Sequence, residues 1–120
     1  MASKKNRLRP ILSKINGAEP SDEVMDMISV ALSKTAEDFP KPGLIYVFQY
    51  YATSQGLLYD RYPVVGVDKI YDWGFTGINM HIKDPRRYNY AQVASPLYRV
   101  ENYELASLLA LPLEYLVQNR

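Results

Sequence analysis

Few residues of this chain have the types and spacing that catalysis or metal binding requires. His81 is the only histidine, and with Asp84 three residues later it forms at best a weak two-ligand metal pattern. Asp60, Asp68 and Asp72 could supply a carboxylate pair, but acid–base chemistry needs a cleft that shifts their pKa values, and no neighbouring pattern indicates one. The sequence therefore predicts no metal site and no carboxylate catalysis.

Other patterns typical of enzymes are missing as well. Gly74 and Gly77 flank a Gly-Phe-Thr-Gly string that does not open a helix, as a phosphate-binding loop would. No serine lies in a recognisable nucleophile turn. The chain contains no cysteine, which excludes disulfides, thiolate metal sites and thiol nucleophiles. We therefore expect a binding or structural protein without a cofactor rather than an enzyme.

Length and hydropathy set the class of protein. The 120 residues fit one domain whose core can form without metal or disulfides. No apolar run approaches the roughly 18 to 20 residues that span a bilayer, and the N-terminus lacks the apolar region of a signal peptide. The sequence predicts a soluble protein with no membrane contact.

Charge is distributed unevenly, although the net charge is only +1. Residues 1–20 form a basic arm, in which Lys4, Lys5, Arg7, Arg9 and Lys14 precede any acidic residue. The arm could contact phosphates or an acidic protein surface, or it could be a solvated, poorly ordered terminus. We expect at most a short helical segment there, ordered by a partner.

Residues 21–120 read as a single small domain that starts with a helix over residues 21–38. Ser21 stands where an N-cap is expected, with acidic residues in the first turn. An apolar stripe at helical spacing follows, formed by Val24, Met27, Ile28, Ala31 and Leu32. Met25 and Val30 fall off this stripe, so a second side of the helix is covered by the domain itself or by a neighbouring subunit.

The β core is expected over residues 43–83. Leu44 to Tyr51 is apolar on both faces, which is typical of a central strand. Val64 to Tyr71 and Phe75 to Ile82 alternate and meet at an Asp72-Trp73-Gly74 corner, which predicts a β-hairpin. Gly77 inside the second strand indicates a bulge or a close backbone approach.

Residues 84–120 are expected to be a helical tail. Asp84-Pro85 resembles an N-cap followed by proline at the first helical position, and predicts a short helix from about Pro85 to Val93. Two further helices are predicted, from Asn102 to Ala110 and from Pro112 to Gln118. The fold class is therefore α+β, with a small antiparallel SH3-like β-barrel or sheet of about three to five strands flanked by an N-terminal helix and short C-terminal helices.

Aromatic residues are concentrated in the second part of the chain. Eleven tyrosines, three phenylalanines and one tryptophan all lie beyond residue 38. A small sheet has too few inward positions to bury them all, and exposed tyrosines occur at protein interfaces and on stacking platforms for single-stranded nucleic acid. The candidate partner-binding residues are Lys4, Lys5, Arg7, Arg9, Tyr50, Tyr51, Tyr59, Arg61 and Trp73.

Three blocks of sequence are distinctive: Leu44–Tyr50, Leu58–Val65 (LYDRYPVV) and Gly74–His81 (GFTGINMH), the last followed by Pro85 and Arg87-Tyr88. These blocks resemble small virion structural proteins of tailed phages, namely the T4-like myoviruses and their marine relatives. The resemblance covers residues 44–88. It implies a component of the tail, baseplate or neck that acts in many copies and assembles into the virion in the host cytoplasm.

The chain departs from that pattern in being short after the last block and in carrying an acidic helix in front, which leaves its place in the virion open. Our first hypothesis is therefore a phage structural protein that docks onto other tail, baseplate or neck proteins. The less favoured alternative is a small nucleic-acid-binding barrel, for example at the packaged DNA end, that contacts phosphates through the basic arm and through Arg61, Lys69, Arg86 and Arg87.

Overall fold

The computed structural model describes residues 5–15, 20–51 and 61–113. In this part of the chain, the helices are α1 (Arg9–Lys14), α2 (Ser21–Ala31) and α3 (Leu105–Ala110). The strands are β1 (Ala36–Glu37), β2 (Ile45–Val47), β3 (Val64–Ile70), β4 (Gly74–Asn79), β5 (Asp84–Asn89) and β6 (Leu97–Val100). Short 3₁₀ turns occupy Ser33–Thr35, Tyr90–Gln92 and Asn102–Glu104.

The strands form one antiparallel sheet in the order β1-β6-β2-β3-β4-β5. The predicted α+β class and antiparallel sheet are confirmed, and β2 is a central strand as expected. The sheet has six strands rather than about three to five, and over the described residues it remains open between β1 and β5. A closed SH3-like barrel is therefore not confirmed.

The sheet separates two cores, because successive side chains of a strand point to opposite faces. On β2, Val47 faces a core of aliphatic residues formed with the three helices, and Tyr46 faces an aromatic core on the other side. The aromatic core contains Tyr46, Phe48, Tyr50, Phe75 and Tyr88, packed with Val65, Val67 and Leu97. The predicted two-sided burial of β2 is thus confirmed.

Helix α2 begins where predicted but is shorter. Its N-cap is Pro20 rather than Ser21, and no side chain caps it. The helix ends at Ala31, not at residue 38, because residues 36–37 pair with β6 as β1. Val24, Ile28 and Leu32 of the predicted stripe are fully buried. Met25 is buried in the same core, whereas Val30 is 75% exposed, so the domain itself does not cover the second side at Val30.

The predicted hairpin between β3 and β4 is confirmed. Its corner is closed by hydrogen bonds between Tyr71 and Gly74, in which each N–H donates to the other's carbonyl. Gly77 lies against β3 so closely that a Cβ atom would come within 2.5 Å of the Gly66 carbonyl oxygen. The register slips by one residue at Asp68, between the Val67–Gly77 and Lys69–Thr76 pairs, so both the close approach and a neighbouring bulge occur. Strand β4 ends at Asn79 instead of Ile82.

The predicted helix from Pro85 to Val93 is wrong. Residues 84–89 form the edge strand β5, in which Asp84 and Pro85 pair with the end of β4. Proline is tolerated on an edge strand because its missing N–H can face outward. Tyr88 drives this outcome, since strand alternation buries its ring in the aromatic core, where it is 1% exposed.

The rest of the tail is partly helical. Residues 97–100 form strand β6, which the sequence analysis did not predict. The predicted helix from Asn102 to Ala110 is confirmed as a 3₁₀ turn continued by α3, and a capping box between Glu101 and Glu104 begins it. Residues 114–118 of the predicted last helix lie outside the described residues.

Residues 5–15 do not form a detached arm, because Leu8 and Ile11 are buried in the aliphatic core. Arg7 forms a bidentate ion pair with Glu104, with Nη2 2.7 Å from Oε1 and Nε 2.8 Å from Oε2. Its Nη1 also donates to Thr35 Oγ1 at 2.8 Å and its Nη2 to the Arg99 carbonyl. Order in residues 5–15 thus comes from the domain itself and not from a partner.

The Glu104 side chain is completely buried yet stays ionised. Burial raises the pKa of Glu104, but hydrogen bonds donated by Arg7 and by the Glu101 N–H outweigh it, so its pKa lies below the ordinary value. The hydrogen bond to Glu104 correspondingly raises the pKa of Arg7. The pair is therefore charged throughout the neutral range.

Replacing Arg7 should destabilise the fold strongly. Arg7→Met leaves Glu104 buried without its cation, which we expect to lower the free energy of unfolding by about 3–5 kcal/mol. Arg9→Ala is the matched control, because Arg9 is exposed and should cost less than about 0.5 kcal/mol. The double variant Arg7→Met/Glu104→Met should be more stable than Arg7→Met alone. Urea denaturation measures all three, and equal losses for Arg7→Met and Arg9→Ala would contradict the structural role of the pair.

Candidate interaction surface

One face of the β3–β4–β5 region lies beyond the cover of the helices. Strand register places Lys69 beside Thr76 and Thr76 beside Arg87, so these three side chains share a face opposite the aromatic core. Lys69 and Arg87 are exposed, and Ile78 on the same face is 41% exposed. The open face therefore carries cationic and apolar groups side by side.

An aromatic ladder stands at the corner of this face. The rings of Tyr71 and Trp73 are stacked, with centroids 5.1 Å apart and planes 8° from parallel. The Arg87 guanidinium lies over the Trp73 ring, 4.9 Å from its centroid. Tyr71 follows β3 and Arg87 belongs to β5, so the two approach Trp73 from strands on opposite sides of β4. We call Lys69, Tyr71, Trp73, Thr76 and Arg87 the hairpin surface.

The backbone beneath the ladder is fixed. The Trp73 carbonyl accepts a hydrogen bond of 2.9 Å from the Tyr90 N–H, which holds the corner against the end of β5. Gly74 packs so tightly there that a Cβ atom would lie 1.9 Å from the Tyr88 carbonyl oxygen. Below it, Phe75 stacks on Tyr88 at 5.4 Å. The hairpin surface thus rests on a rigid aromatic base.

The candidate aromatic residues fall in different environments. Trp73 is 36% exposed and belongs to the hairpin surface, and Tyr51 is 64% exposed. Tyr50 is only 7% exposed, because its ring packs on Phe48 and Tyr88 in the aromatic core. Its hydroxyl also accepts a hydrogen bond from the Asn89 N–H. Tyr50 is therefore a core residue and does not offer a surface for partners.

The candidate cationic residues also lie in different parts of the structure. Lys5 and Arg9 are exposed beside an open cleft that Tyr103 also lines. Arg7 is corrected from an arm residue to the partner of Glu104. Lys4 and Tyr59, together with Asp60, lie outside the described residues.

The cationic residues proposed to contact nucleic acid do not lie on one surface either. Arg61 lies on the helical side, 3.1 Å from Asp22 in an exposed ion pair. Arg86 points to the opposite face from Arg87, since neighbours along a strand alternate. Only Lys69 and Arg87 of the four proposed phosphate contacts share one surface.

Tyr71 was missed by the sequence analysis as a candidate for partner contacts. Its position was visible, because Tyr71 and Trp73 flank Asp72 symmetrically at a predicted hairpin corner. The contribution of Arg87 was harder to predict, because it depends on residues 84–89 being a strand and not a helix.

The described ranges place His81, together with other potential metal ligands, in the fold. No group of three or more His, Cys, Asp or Glu residues is placed there to hold a metal ion. Burial lowers the pKa of His81 to about 4, so its imidazole is neutral at physiological pH. Its backbone N–H donates to Asn79 Oδ1 at 3.0 Å in the turn after β4, which gives His81 a structural place.

No protein-family model, no curated protein and no solved structure matches the chain. Within the described part, no helix has both the length and the apolar character needed to cross a membrane.

His81 should make the fold sensitive to mild acid. The folded chain holds its pKa near 4, whereas the unfolded chain has the ordinary value of 6.5. The unfolded state therefore binds more protons in this range, and stability falls as pH drops from 6.5 towards 4. Glu104 adds its own loss only around and below its ordinary value of 4.5. The useful pH range lies below the ordinary pKa of histidine, 6.5, and above the ordinary pKa of glutamate, 4.5. In this range, urea titrations should show that the free energy of unfolding depends less on pH for His81→Gln than for the wild type. An unchanged slope would remove His81 as the cause.

Proposed function

We propose that this chain is a structural component of a phage virion, in the tail, baseplate or neck, which docks onto neighbouring virion proteins and performs no catalysis. The observation that carries the proposal is the exposed aromatic ladder Tyr71–Trp73–Arg87 on an open sheet face. The resemblance of residues 44–88 to small virion proteins of tailed phages supplies the context.

The ladder has the properties of a binding hot spot. Tyr, Trp and Arg are the side chains most enriched among residues that dominate binding energy. Tyr71 is 41% and Trp73 36% exposed, so much of each ring remains available. Stacking and the cation–π contact already restrict these side chains, which reduces the entropy that docking would cost. A partner therefore meets a preorganised surface.

The finer expectation of an SH3-like small barrel is supported by the curvature of the sheet. Tyr88 of β5 lies 5.6 Å from Phe48, which follows β2, although two strands separate β5 from β2. After β5 the chain turns back, and Val93 forms a bridge with Tyr50. Both contacts support the proposed small barrel, because a curled sheet brings strands together that are not neighbours in it.

Nucleic-acid binding is the second candidate, and Lys69 and Arg87 beside two stacked rings are the observation that favours it. The neighbouring acids weigh against it. Asp68 and Asp72 are both exposed on the same hairpin and offset the two cations. Mixed charge of this kind suits a protein surface better than a polyphosphate backbone.

Removing the ladder should abolish docking and leave the fold intact. We expect Tyr71→Ala/Trp73→Ala to lose the virion proteins that co-purify in stoichiometric amounts with the tagged wild-type chain, as measured by mass spectrometry. Circular dichroism should show both chains folded. Tyr103→Ala is the matched control, because Tyr103 is 42% exposed and lies outside the hairpin surface. Retention of all partners by the double variant would contradict the proposed docking role.

The salt dependence of DNA binding distinguishes the virion docking role from the nucleic-acid-binding role. We expect fluorescence anisotropy with single-stranded DNA at low salt to detect no binding that depends on Lys69 and Arg87. The wild type and the Lys69→Glu/Arg87→Glu variant should therefore give the same signal. Binding that weakens with salt and with this variant would favour the nucleic-acid candidate instead.

A further inference from the structure

Helices α1 and α2 enclose an exposed apolar groove on the helical side of the domain. Pro10, Met27 and Val30 line it, and its volume is about 460 Å³. At 75%, Val30 is the most exposed of the large apolar side chains in the described part of the chain. Val30 thus extends the apolar lining formed by Pro10 and Met27 to the surface, where a second protein would remove it from water.

The two walls of the groove carry opposite charges. Lys14 lines the α1 wall, and Asp26 lines the α2 wall with Glu23 one turn before it. Neither Lys14 nor Asp26 forms an ion pair with another described residue. Lys14 of α1 and Asp26 of α2 line the same groove. The bond from Arg7 to Thr35 places the residues before α1 next to the 3₁₀ turn that follows α2.

We propose that this groove is the interface of a homodimer, with a second copy of the chain as its occupant. A two-fold axis along the groove would set α1 of one copy over α2 of the other. Lys14 of each copy then meets Asp26 of its partner, and the two Val30 side chains are covered between them. Such an interface is isologous, since one patch serves both copies.

Charge argues for a second copy over an unrelated partner. An acidic partner would match only the α1 wall, and a basic partner only the α2 wall. A second copy matches both walls, so the dimer contains two Lys14–Asp26 pairs related by the two-fold axis. The pairs lie beside the apolar strip, where they set the orientation of the copies while Val30 and Met27 supply the apolar contact.

Charge reversal tests the interface with the purified full chain. Sedimentation velocity should show a wild-type dimer, and Lys14→Glu and Asp26→Lys should each weaken dimerisation at least about tenfold, because like charges then face each other twice. An equimolar mixture of these two variants should dimerise again, since a heterodimer pairs opposite charges at both positions. Lys41→Glu and Asp38→Lys are matched controls, being exposed charges that do not line the groove.

Engineered cysteines give a second readout, because the chain has no cysteine of its own. Mixed Lys14→Cys and Asp26→Cys proteins should form a disulfide-linked heterodimer, whereas Lys14→Cys alone should form far less. A wild-type chain that stays monomeric at the highest attainable concentration, or a mixture no stronger than its components, would overturn the proposal. The hairpin surface uses none of these residues, so docking through it can fail or succeed independently.

Discussion

The ion pair between Arg7 and Glu104 holds the helical side of this protein together. It joins residues 97 positions apart, and the guanidinium also binds Thr35 and the Arg99 carbonyl. The Arg7 side chain therefore connects the segment before α1 with the 3₁₀ turn after α2, with β6 and with the turn that begins α3. Because Glu104 is completely buried, its charge is tolerated only while Arg7 is in place. The placement of α1, and with it the groove along α2, follows from this contact.

The opposite side of the sheet depends on apolar packing instead. The rings of Phe48, Phe75 and Tyr88 contact one another with centroids 5.4–5.8 Å apart. Strand alternation then decides the surface, since burying Tyr88 obliges Arg87 to point outward over Trp73. A shift of β5 by one residue would bury Arg87 and break the ladder, so the aromatic core and the hairpin surface share one register.

Local patterns predicted the parts of the fold that depend on neighbours in sequence. The hairpin at Asp72-Trp73-Gly74, the central β2 and the start of α2 are all of this kind. Strand β5 was mistaken for a helix because Asp-Pro begins helices and edge strands alike, and only the distant aromatic core decides between them. The ion pair of Arg7 was unpredictable for the same reason, since its partner Glu104 is 97 positions away along the chain. The candidate site was therefore predicted only in part. Trp73 is exposed as expected, Tyr50 is buried, and Tyr71 was not among the candidates.

The two candidate surfaces lie on separate parts of the molecule, one at the β3–β4 corner and one between α1 and α2. A dimer formed through the groove leaves both hairpin surfaces open and presents two of them on one particle. Linked binding sites act at a high effective concentration, so two weak contacts to a repeating assembly combine into a strong one. Under the virion role proposed above, a small hairpin surface with only three side chains in its ladder would then suffice for docking. The two proposals thus share one physical basis, in which modest contacts become stable through repetition.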